Sequence, residues 1–296
     1  NGYSTTAGMP ELRSEVEKMM RAEGVDPQSV MIVCGAEGAL MLSVLALADE
    51  DCEVLLADPC FATYGHLVRL AGAGIRHIDT YPDFRITPER LRSSCTPKTK
   101  VFLFNSPVNP TGVAYTPDEI KAIAETAAEL GLRVISDEVY DKFCYDYKHE
   151  CFAKYDKNAL VIRAFSKMWG AAGWRLGFAF GPKDLIGHMT TLQQFTFICA
   201  PAPFQYAASR AIDSDISSHI ANYKRRRDYV FEKLSRAFEM HKPEGTFYAF
   251  CKAPKGDADG FIKKCLENEL LVVPGKAFSK RNTHFRISYA VDDNKL

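Results

Sequence analysis

Residues 163–177 read Arg-Ala-Phe-Ser-Lys-Met-Trp-Gly-Ala-Ala-Gly-Trp-Arg-Leu-Gly and connect two short apolar runs, residues 160–164 and 176–181. About eleven residues separate the two runs, and a crossover between parallel strands usually needs a dozen or more. The second run is therefore predicted to form a strand antiparallel to its neighbours. The connection also carries Lys167 directly behind the first run.

Apolar runs upstream of this connection alternate with helical patterns. The runs are residues 30–34, 54–57, 75–80, 101–105, 132–136 and 160–164. Such alternation is typical of a mostly parallel sheet with helices on its faces. We therefore predict an α/β fold, in which a large three-layer α/β/α domain has a mostly parallel sheet with one antiparallel strand.

Two helices of this predicted domain have clear ends in the sequence. Residues 116–119 (Thr-Pro-Asp-Glu) form a capping-box pattern with Pro117 in the first helical position, and Gly131 stops that helix. An earlier helix is predicted to begin at Pro10 and to end at Gly24.

The pattern changes after about residue 210. A long amphipathic stretch covers residues 214–238, and strand-like runs at 246–250, 270–273 and 285–290 surround a helical stretch near 260–268. We predict a smaller α+β domain over residues 211–296, following a large cofactor-binding domain over residues 1–210.

Composition and charge exclude several classes of partner. Of 296 residues, 47% are hydrophobic and 25% are charged, and the formal net charge is zero. A neutral chain has no strong attraction to nucleic acid or to an anionic membrane. The basic run at residues 224–227 lies in an amphipathic helical pattern, so a solvated helix face is predicted there.

The nine cysteines favour a reducing, cytoplasmic compartment. Their number is odd, their spacing is irregular, and no Cys-x-x-Cys pair occurs. Reduced cysteines with apolar neighbours behave as small hydrophobic residues, whereas a disulfide framework needs paired partners. No apolar run is long enough to span a bilayer.

The chemistry of the opening stretch centres on Lys167. A lysine that emerges from a buried strand loses solvation, which favours the neutral and nucleophilic amine that a carbonyl cofactor needs. Ser166 and Arg175 lie close to it in sequence, and a hydroxyl and a guanidinium both bind phosphate well. Residues 35–38 (Gly-Ala-Glu-Gly) join a strand to a helix, an arrangement that offers backbone N–H groups to an anion.

Four motifs occur in one order along the chain. They are Asn-Ser-Pro-Val-Asn-Pro-Thr-Gly at 105–112, Ser-Asp-Glu-Val-Tyr at 136–140, the stretch at 163–177, and Phe-Arg-Ile-Ser-Tyr-Ala at 285–290. Together they resemble the fold type I pyridoxal-phosphate enzymes of the aspartate aminotransferase superfamily. The resemblance runs in a single register from Tyr3 to Ala290.

The resemblance implies a role for each central residue. Lys167 corresponds to the lysine that forms the Schiff base with pyridoxal 5'-phosphate. Asp137 corresponds to the carboxylate that faces the pyridine nitrogen, and Asn109 and Tyr140 to the partners of the phenolic oxygen. Arg286 corresponds to the residue that binds the α-carboxylate of the substrate, close to Asn109.

Further residues would hold the cofactor. The resemblance assigns the phosphate to Ser166, Arg175 and the N–H groups of Ala36 and Glu37. It also stacks Phe61 on the pyridine ring. At position 164 some relatives of this superfamily carry a serine that also contacts the phosphate, whereas this chain has alanine.

The resemblance also implies a homodimer with shared active sites. Tyr3 corresponds to a tyrosine that reaches the phosphate of the neighbouring subunit. Members of the superfamily carry an additional N-terminal portion before this point, which completes the small domain and covers the substrate. We therefore expect the N-terminal part of the small domain to be absent from this sequence.

The function implied is an aminotransferase that moves an amino group from an L-amino acid to a 2-oxo acid by a ping-pong mechanism. Within the same fold, a carbon–sulfur β-lyase is the alternative, because the same lysine, aspartate and arginine serve both reactions. The motifs at 105–107 and 136–140 favour the aspartate, aromatic and kynurenine branch over histidinol-phosphate aminotransferases. The particular donor and acceptor are left open.

Two readings from other classes are weaker. A non-catalytic ligand-sensing domain of a transcriptional regulator would bring a DNA-binding helical module, and the sequence contains no sign of one. A nucleotide-binding α/β protein would carry a Gly-Lys-Ser/Thr loop or a Gly-x-Gly-x-x-Gly turn, and neither occurs. No metal site is expected.

Overall fold

The computed structural model describes residues 2–296, which contain a seven-stranded sheet and a three-stranded sheet. The strands are β1 (Ser29–Val33), β2 (Glu53–Asp58), β3 (Gly74–Asp79), β4 (Thr99–Asn105), β5 (Arg133–Asp137), β6 (Leu160–Ala164), β7 (Gly177–Gly181), β8 (Tyr248–Lys252), β9 (Val273–Pro274) and β10 (His284–Ser288).

The order of strands in the large sheet is β1-β7-β6-β5-β4-β2-β3. Strand β7 pairs antiparallel with both β6 and β1, whereas the pairs among β2, β3, β4, β5 and β6 are parallel. The prediction of one antiparallel strand in a mostly parallel sheet is confirmed. Its cause is the short connection between β6 and β7, which leaves no room for a crossover to the opposite end of the sheet.

Helices connect the strands and cover the sheet. They are α1 (Pro10–Ala22), α2 (Gly35–Leu47), α3 (Thr63–Leu70), α4 (Pro88–Ser94), α5 (Pro117–Glu129), α6 (Phe165–Met168), α7 (Lys183–Thr196), α8 (Ala202–Ala211), α9 (Ser217–Leu234) and α10 (Ala258–Glu267).

Helix α5 begins as predicted. The Thr116 hydroxyl accepts the Glu119 N–H, the Glu119 carboxylate accepts the Thr116 N–H at 2.8 Å, and Pro117 is in the first helical turn. These contacts satisfy N–H groups that the start of a helix leaves without a partner.

Alternate residues of each central strand face different layers of helices. In β4, Val101 and Leu103 pack in the core cluster that contains residues of α2, α3 and α7. Phe102 and Phe104 of the same strand pack in the cluster that contains residues of α5. A sheet buried on both faces is therefore the middle layer of three, as predicted.

The small sheet has the order β8-β10-β9 and is antiparallel. The strand predicted at residues 270–273 is wrong in extent, because β9 contains only Val273 and Pro274. Leu271 is 83% exposed and Leu270 is 53% exposed, so these apolar side chains do not belong to the core on which the prediction depended. The boundary between domains at residue 210 stays a prediction.

Helix α9 is shorter than the amphipathic pattern and corrects one expectation. Arg227, in the basic run predicted to be a solvated face, is buried. Its Nη1 donates to the Pro243 carbonyl at 2.6 Å and to the Asp146 carboxylate at 2.9 Å.

None of the helices in residues 2–296 is long and apolar enough to cross a membrane.

Candidate active site

A cavity of about 210 Å³ opens at the carboxyl ends of the central parallel strands. It brings together every site residue predicted from the sequence except Tyr3. Those lining it are Ala36, Glu37, Phe61, Asn109, Asp137, Tyr140, Ser166, Lys167, Arg175 and Arg286.

The sheet explains this convergence. Asn105, Asp137 and Ala164 are the last residues of β4, β5 and β6, which are neighbours in the sheet. Parallel strands end at the same edge, and open α/β sheets bind their ligands beyond that edge. Lys167 does not follow the strand directly but lies in α6, a single helical turn that begins after Ala164.

Asp137 is buried at the floor of the cavity with two hydrogen-bond donors. Its Oδ2 accepts the Tyr64 hydroxyl at 2.7 Å, and its Oδ1 accepts the Val139 N–H at 3.2 Å. Burial raises the pKa of Asp137 to about 6, although these two hydrogen bonds and the nearby Lys167 act in the opposite direction. The carboxylate is thus held in one orientation at a depth where charge is costly.

Asn105 fixes the loop that carries Asn109. Its amide nitrogen donates to the Asp137 carbonyl at 2.8 Å and to the Pro107 carbonyl at 3.2 Å. Its amide oxygen accepts the N–H of Asn109 at 3.1 Å. A buried amide that uses both of its ends locks the turn between two strands.

Arg286 reaches the same loop from β10. Its Nη1 donates to Asn109 Oδ1 at 2.8 Å, and its guanidinium carbon lies 4.2 Å from the Tyr248 ring centre and 4.5 Å from the Phe278 ring centre. Burial lowers the pKa of Arg286. Its Nε is buried and has no hydrogen-bond partner among residues 2–296, so the guanidinium retains a donor for an anionic ligand.

Tyr140 is buried beside the cavity. Its hydroxyl donates to the Tyr248 hydroxyl at 3.3 Å, and burial raises the pKa of Tyr140 well above its ordinary value. The Tyr140 ring centre is 6.0 Å from Lys167 Nζ, and the Phe247 ring centre is 5.9 Å from the same atom. The lysine amine thus lies in an aromatic surrounding.

A cradle for an anion lies where α2 begins. Gly35 has φ +74°, a conformation that strains other residues, and a Cβ on it would lie 2.7 Å from Nη2 of Arg175, so the guanidinium would have to shift. Among residues 2–296, no side chain caps the N-terminus of α2, so its first N–H groups, including those of Ala36 and Glu37, stay available. Ser166 lines the same cavity. These donors fit a phosphate.

Phe61 and Glu37 occupy the edge of this cradle. The rings of Phe61 and Tyr64 meet edge to face, with centres 5.6 Å apart. The Oε1 of Glu37 accepts the Thr63 hydroxyl at 2.8 Å. The stacking of Phe61 on a cofactor ring stays a prediction.

Tyr3 lies outside the cavity and is 81% exposed. It borders a surface hollow of about 730 Å³ together with Cys34, Phe197 and Tyr206. Cys34 directly precedes Gly35, so this hollow adjoins the anion cradle from outside. The predicted contact of Tyr3 with a second subunit stays a prediction.

A buried ionic cluster lies behind the site. Arg163 donates through Nε and Nη2 to Glu138 Oε2, at 3.1 and 2.9 Å, and through Nη1 to Glu23 at 2.8 Å. His149 Nε2 lies 3.1 Å from the same Glu138 oxygen. Burial alone raises the pKa of Glu138, but the attraction of Arg163 prevails and lowers it to about 2.

Sequence reasoning did not single out Tyr64, Tyr248, Glu138 or Arg163 as parts of the site. Glu138 and Arg163 lie within the motifs at 136–140 and 163–177, but they are 25 residues apart, and the partner of Tyr64 is 73 residues away. The sequence did carry one signal for the ionic cluster. Glu138 and Arg163 are oppositely charged residues at the ends of apolar strands, and buried charges need partners.

Known proteins are similar to this chain over most of its length. Residues 1–296 match the family described as aminotransferase class I and II. The probable aspartate aminotransferase of Methanocaldococcus jannaschii is 38% identical over 302 residues, which cover 97% of this chain and 80% of that protein. The aspartate aminotransferase of Pyrococcus abyssi is 34% identical, with 99% and 81% covered.

Solved structures agree. The aromatic aminotransferase of Pyrococcus horikoshii superposes with a TM-score of 0.96 at 32% identity, covering 99% of this chain and 84% of that one. A mutant aspartate aminotransferase of Thermus thermophilus gives 0.94 at 30% identity, covering 99% and 85%. These relatives are named as aminotransferases, which favours that activity over the β-lyase alternative. This chain therefore belongs to the class I and II aminotransferases, a family that characteristically uses pyridoxal phosphate, and it is an aminotransferase.

Proposed function

We propose that this aminotransferase transfers the amino group of an L-amino acid to a 2-oxo acid by a ping-pong mechanism, with pyridoxal 5'-phosphate bound in the 210 Å³ cavity. One observation carries the proposal. A lysine amine, a buried carboxylate, an anion cradle and an arginine with a free donor all line this one cavity, although they come from distant parts of the chain.

The cradle at α2 supports phosphate binding. The N–H groups of Ala36 and Glu37, the hydroxyl of Ser166 and the guanidinium of Arg175 supply neutral and cationic donors around one position. The positive end of the helix dipole adds to their attraction for an anion. The cofactor would thus be anchored at the end of its molecule that takes no part in the reaction.

Four further side chains that line the cavity would orient the ring. Asp137 would hold a negative charge toward the pyridine nitrogen, Asn109 and Tyr140 would bind the phenolic oxygen, and Phe61 would stack on the ring face. When bound, pyridoxal phosphate supplies an aldehyde for an amine and a ring that withdraws electrons from the substrate Cα.

Arg286 would hold the substrate. The side chain is fixed between the rings of Tyr248 and Phe278 and keeps a buried Nε without a partner. A carboxylate can satisfy that donor and a second one in parallel, which fixes both the position and the rotation of an amino acid. The contact with Asn109 Oδ1 links substrate binding to the loop that carries the cofactor partner.

Lys167 would move the proton. Its amine would accept the proton from the substrate Cα and hold it until it is returned, as a positioned general base does. The ring centres of Tyr140 and Phe247 lie 6.0 and 5.9 Å from this amine, so its surroundings are partly apolar. Because both half-reactions use the same cavity, the first 2-oxo acid leaves before the second one enters, which gives ping-pong kinetics.

The substrate class is inferred from relatives. Proteins named aspartate and aromatic aminotransferases occur among those most similar to this chain. We infer an acidic or aromatic amino acid as the donor. The motifs at 105–107 and 136–140 favour the same branch of the superfamily. A panel of amino donors tested with 2-oxoglutarate and with pyruvate identifies the pair.

A homodimer is part of the proposal. Large apolar side chains are exposed beside the hollow that adjoins the anion cradle, and a patch of this kind marks an interaction surface. They are Tyr3, Phe195, Phe197, Ile198, Phe204 and Tyr206. Sedimentation equilibrium should give twice the chain mass, and a Tyr206→Glu variant should shift it towards the monomer. A wild-type protein that stays monomeric would contradict this part.

The compartment is inferred from the cysteines. Cys251 and Cys265 are buried in the small core, as expected for reduced thiols that pack as hydrophobic residues. We infer a reducing, cytoplasmic setting.

Activity tests the proposal. Lys167→Ala should abolish formation of a 2-oxo acid from any donor of the panel, because no other amine lies at that position. Lys183→Ala, which changes an exposed lysine at the start of α7, should retain activity. Full activity in the Lys167→Ala variant would refute the assignment.

A further inference from the structure

Tyr64 makes a contact that none of the roles above uses. It is the second residue of α3, and only 2% of it is exposed. Its hydroxyl donates to Asp137 Oδ2 at 2.7 Å, and the two residues are 73 positions apart in the sequence. The edge-to-face packing of Phe61 holds the Tyr64 ring from the side of the cavity.

We propose that Tyr64 is a positioning residue for the reaction, whose hydroxyl keeps the Asp137 carboxylate ionised and aimed at the ring nitrogen of the cofactor. The inference depends on the proposed function, in which Asp137 faces that nitrogen. Tyr64 does not contact the ring nitrogen itself and acts only through Asp137.

The hydrogen bonds of Asp137 support this role. Each carboxylate oxygen has one donor, Tyr64 for Oδ2 and the Val139 N–H for Oδ1, so the plane of the carboxylate is fixed from both sides. Every substitution of Val139 except proline keeps its backbone N–H, whereas the loss of one hydroxyl at Tyr64 removes the other donor. The Tyr64 hydroxyl is therefore the donor that a conservative side-chain substitution removes.

Charge at this depth makes the donor necessary. The titratable groups that face Asp137 are Tyr64, Tyr140, Glu138 and Lys167. Glu138 opposes ionisation of Asp137, and Lys167 favours it. Even with the Tyr64 hydrogen bond, burial raises the pKa of Asp137 to about 6. Loss of that bond would raise the pKa of Asp137 further, so that less of the aspartate stays ionised to attract a protonated ring nitrogen.

Tyr64 is suited to act as a permanent donor. Burial, followed by the adjacent Asp137 charge, raises the pKa of Tyr64 well above its ordinary value. The hydroxyl therefore keeps its proton over the whole working pH range. A donor that never ionises can stabilise a carboxylate without competing for its proton.

The test compares two buried tyrosines, one that contacts Asp137 and one that does not. Tyr64→Phe removes the hydroxyl and keeps the ring. Tyr115→Phe is the control, because Tyr115 is equally buried and its hydroxyl accepts the Ile86 N–H at 2.8 Å, but it packs in the core cluster on the other face of the sheet. Each variant loses one buried hydrogen bond, and only the first touches Asp137.

The main readout is the ¹⁵N chemical shift of the ring nitrogen in holoenzyme prepared with ¹⁵N-labelled pyridoxal phosphate, followed over pH. In Tyr64→Phe the shift should move towards the unprotonated nitrogen at neutral pH, and kcat should fall about tenfold or more, the effect of losing one hydrogen bond to a charged group. KM should change less than about twofold, since Arg286 still binds the substrate. Tyr115→Phe should match the wild type in all three.

Two outcomes separate this inference from the proposed function. If Tyr64→Phe binds the cofactor and gives the wild-type nitrogen shift, pH profile and kcat, the role of Tyr64 is refuted. If Asp137→Asn also retains the wild-type nitrogen shift and full activity, the proposed site itself is refuted. Thermal melting of both tyrosine variants shows whether a loss reflects unfolding, because equal destabilisation with unequal nitrogen shifts isolates the effect on Asp137.

Discussion

Arg163 and Glu138 form a doubly hydrogen-bonded ion pair that is almost completely buried, with Nε and Nη2 at 3.1 and 2.9 Å from one carboxylate oxygen. Glu138 is the residue after Asp137, and Arg163 precedes Lys167 by four positions. The pair therefore joins the ends of β5 and β6 at the place from which the two central residues of the site extend.

Removing the arginine should destabilise the protein strongly. Arg163→Met leaves Glu138 buried without its main partner, and breaking a buried pair from one side costs about 3–5 kcal/mol. Urea denaturation measures the change in the free energy of unfolding. Arg236→Ala, which breaks an exposed pair with Glu232, is the control and should change little. A loss no larger in Arg163→Met than in the control would contradict this account.

Acid should remove the stability that this cluster contributes. The attraction of Arg163 overcomes burial and lowers the pKa of Glu23 and of Glu138 from 4.5 to about 2 in the folded chain. Their contribution is fully present above pH 4.5, where the unfolded carboxylates are also ionised, and it is lost as the pH falls towards 2.

Urea unfolding at a series of pH values from neutral to acid tests this dependence. Stability should fall more steeply below about pH 4.5 in the wild type than in Glu23→Gln, which lacks one of the two shifted carboxylates. Equal slopes in the two proteins would show that the pKa of Glu23 is not lowered on folding.

The substrate arginine should act on KM. Arg286→Gln removes the charged donors but keeps a polar side chain, so KM for the amino acid should rise about tenfold or more, the loss expected for one or two charge-assisted hydrogen bonds. Arg281→Gln changes an exposed arginine that pairs with Asp79 and should leave KM unchanged. Steady-state kinetics with both substrates varied decides. An unchanged KM in Arg286→Gln would remove the residue from the substrate site.

The glycine at the anion cradle should be irreplaceable. Gly35→Ala adds a Cβ that would lie 2.7 Å from Arg175 Nη2, at a residue with φ +74° where alanine is strained by about 1–2 kcal/mol. We expect the Kd for pyridoxal phosphate to rise at least about tenfold, as for a lost hydrogen bond to a charged group. Gly187→Ala, in the middle of α7 with no atom near the added Cβ, is the control and should bind normally. Fluorescence titration measures both.

Much of this architecture could be predicted because it follows from local rules. The capping box at Thr116 and Glu119 depends on residues three positions apart, and the antiparallel direction of β7 follows from the length of one connection. The convergence of Asn109, Asp137 and Lys167 follows from the rule that parallel strands end at one edge. Local patterns and that rule suffice to bring these residues together.

The remainder depends on contacts between distant segments. Tyr64 meets Asp137 across 73 positions, and Tyr140 meets Tyr248 across 108. Arg227 looked like part of a solvated helix face, but Asp146 and the Pro243 carbonyl bind it in the interior. Leu270 and Leu271 were predicted to lie in a strand because they belong to an apolar run. In the structure both side chains are exposed. No spacing within a segment encodes such partners.

Covalent attachment of the cofactor tests the central claim most directly. Borohydride reduction of the protein saturated with pyridoxal phosphate fixes the cofactor on the amine that carries it, and peptide mapping by mass spectrometry then locates it. We predict a single reduced pyridoxyl phosphate, attached to Lys167. In the Asp137→Asn variant the label should also be on Lys167, and its amount should fall only in proportion to any loss of bound cofactor. Modification of another lysine, or none at 167 in a protein that transaminates, would contradict the account.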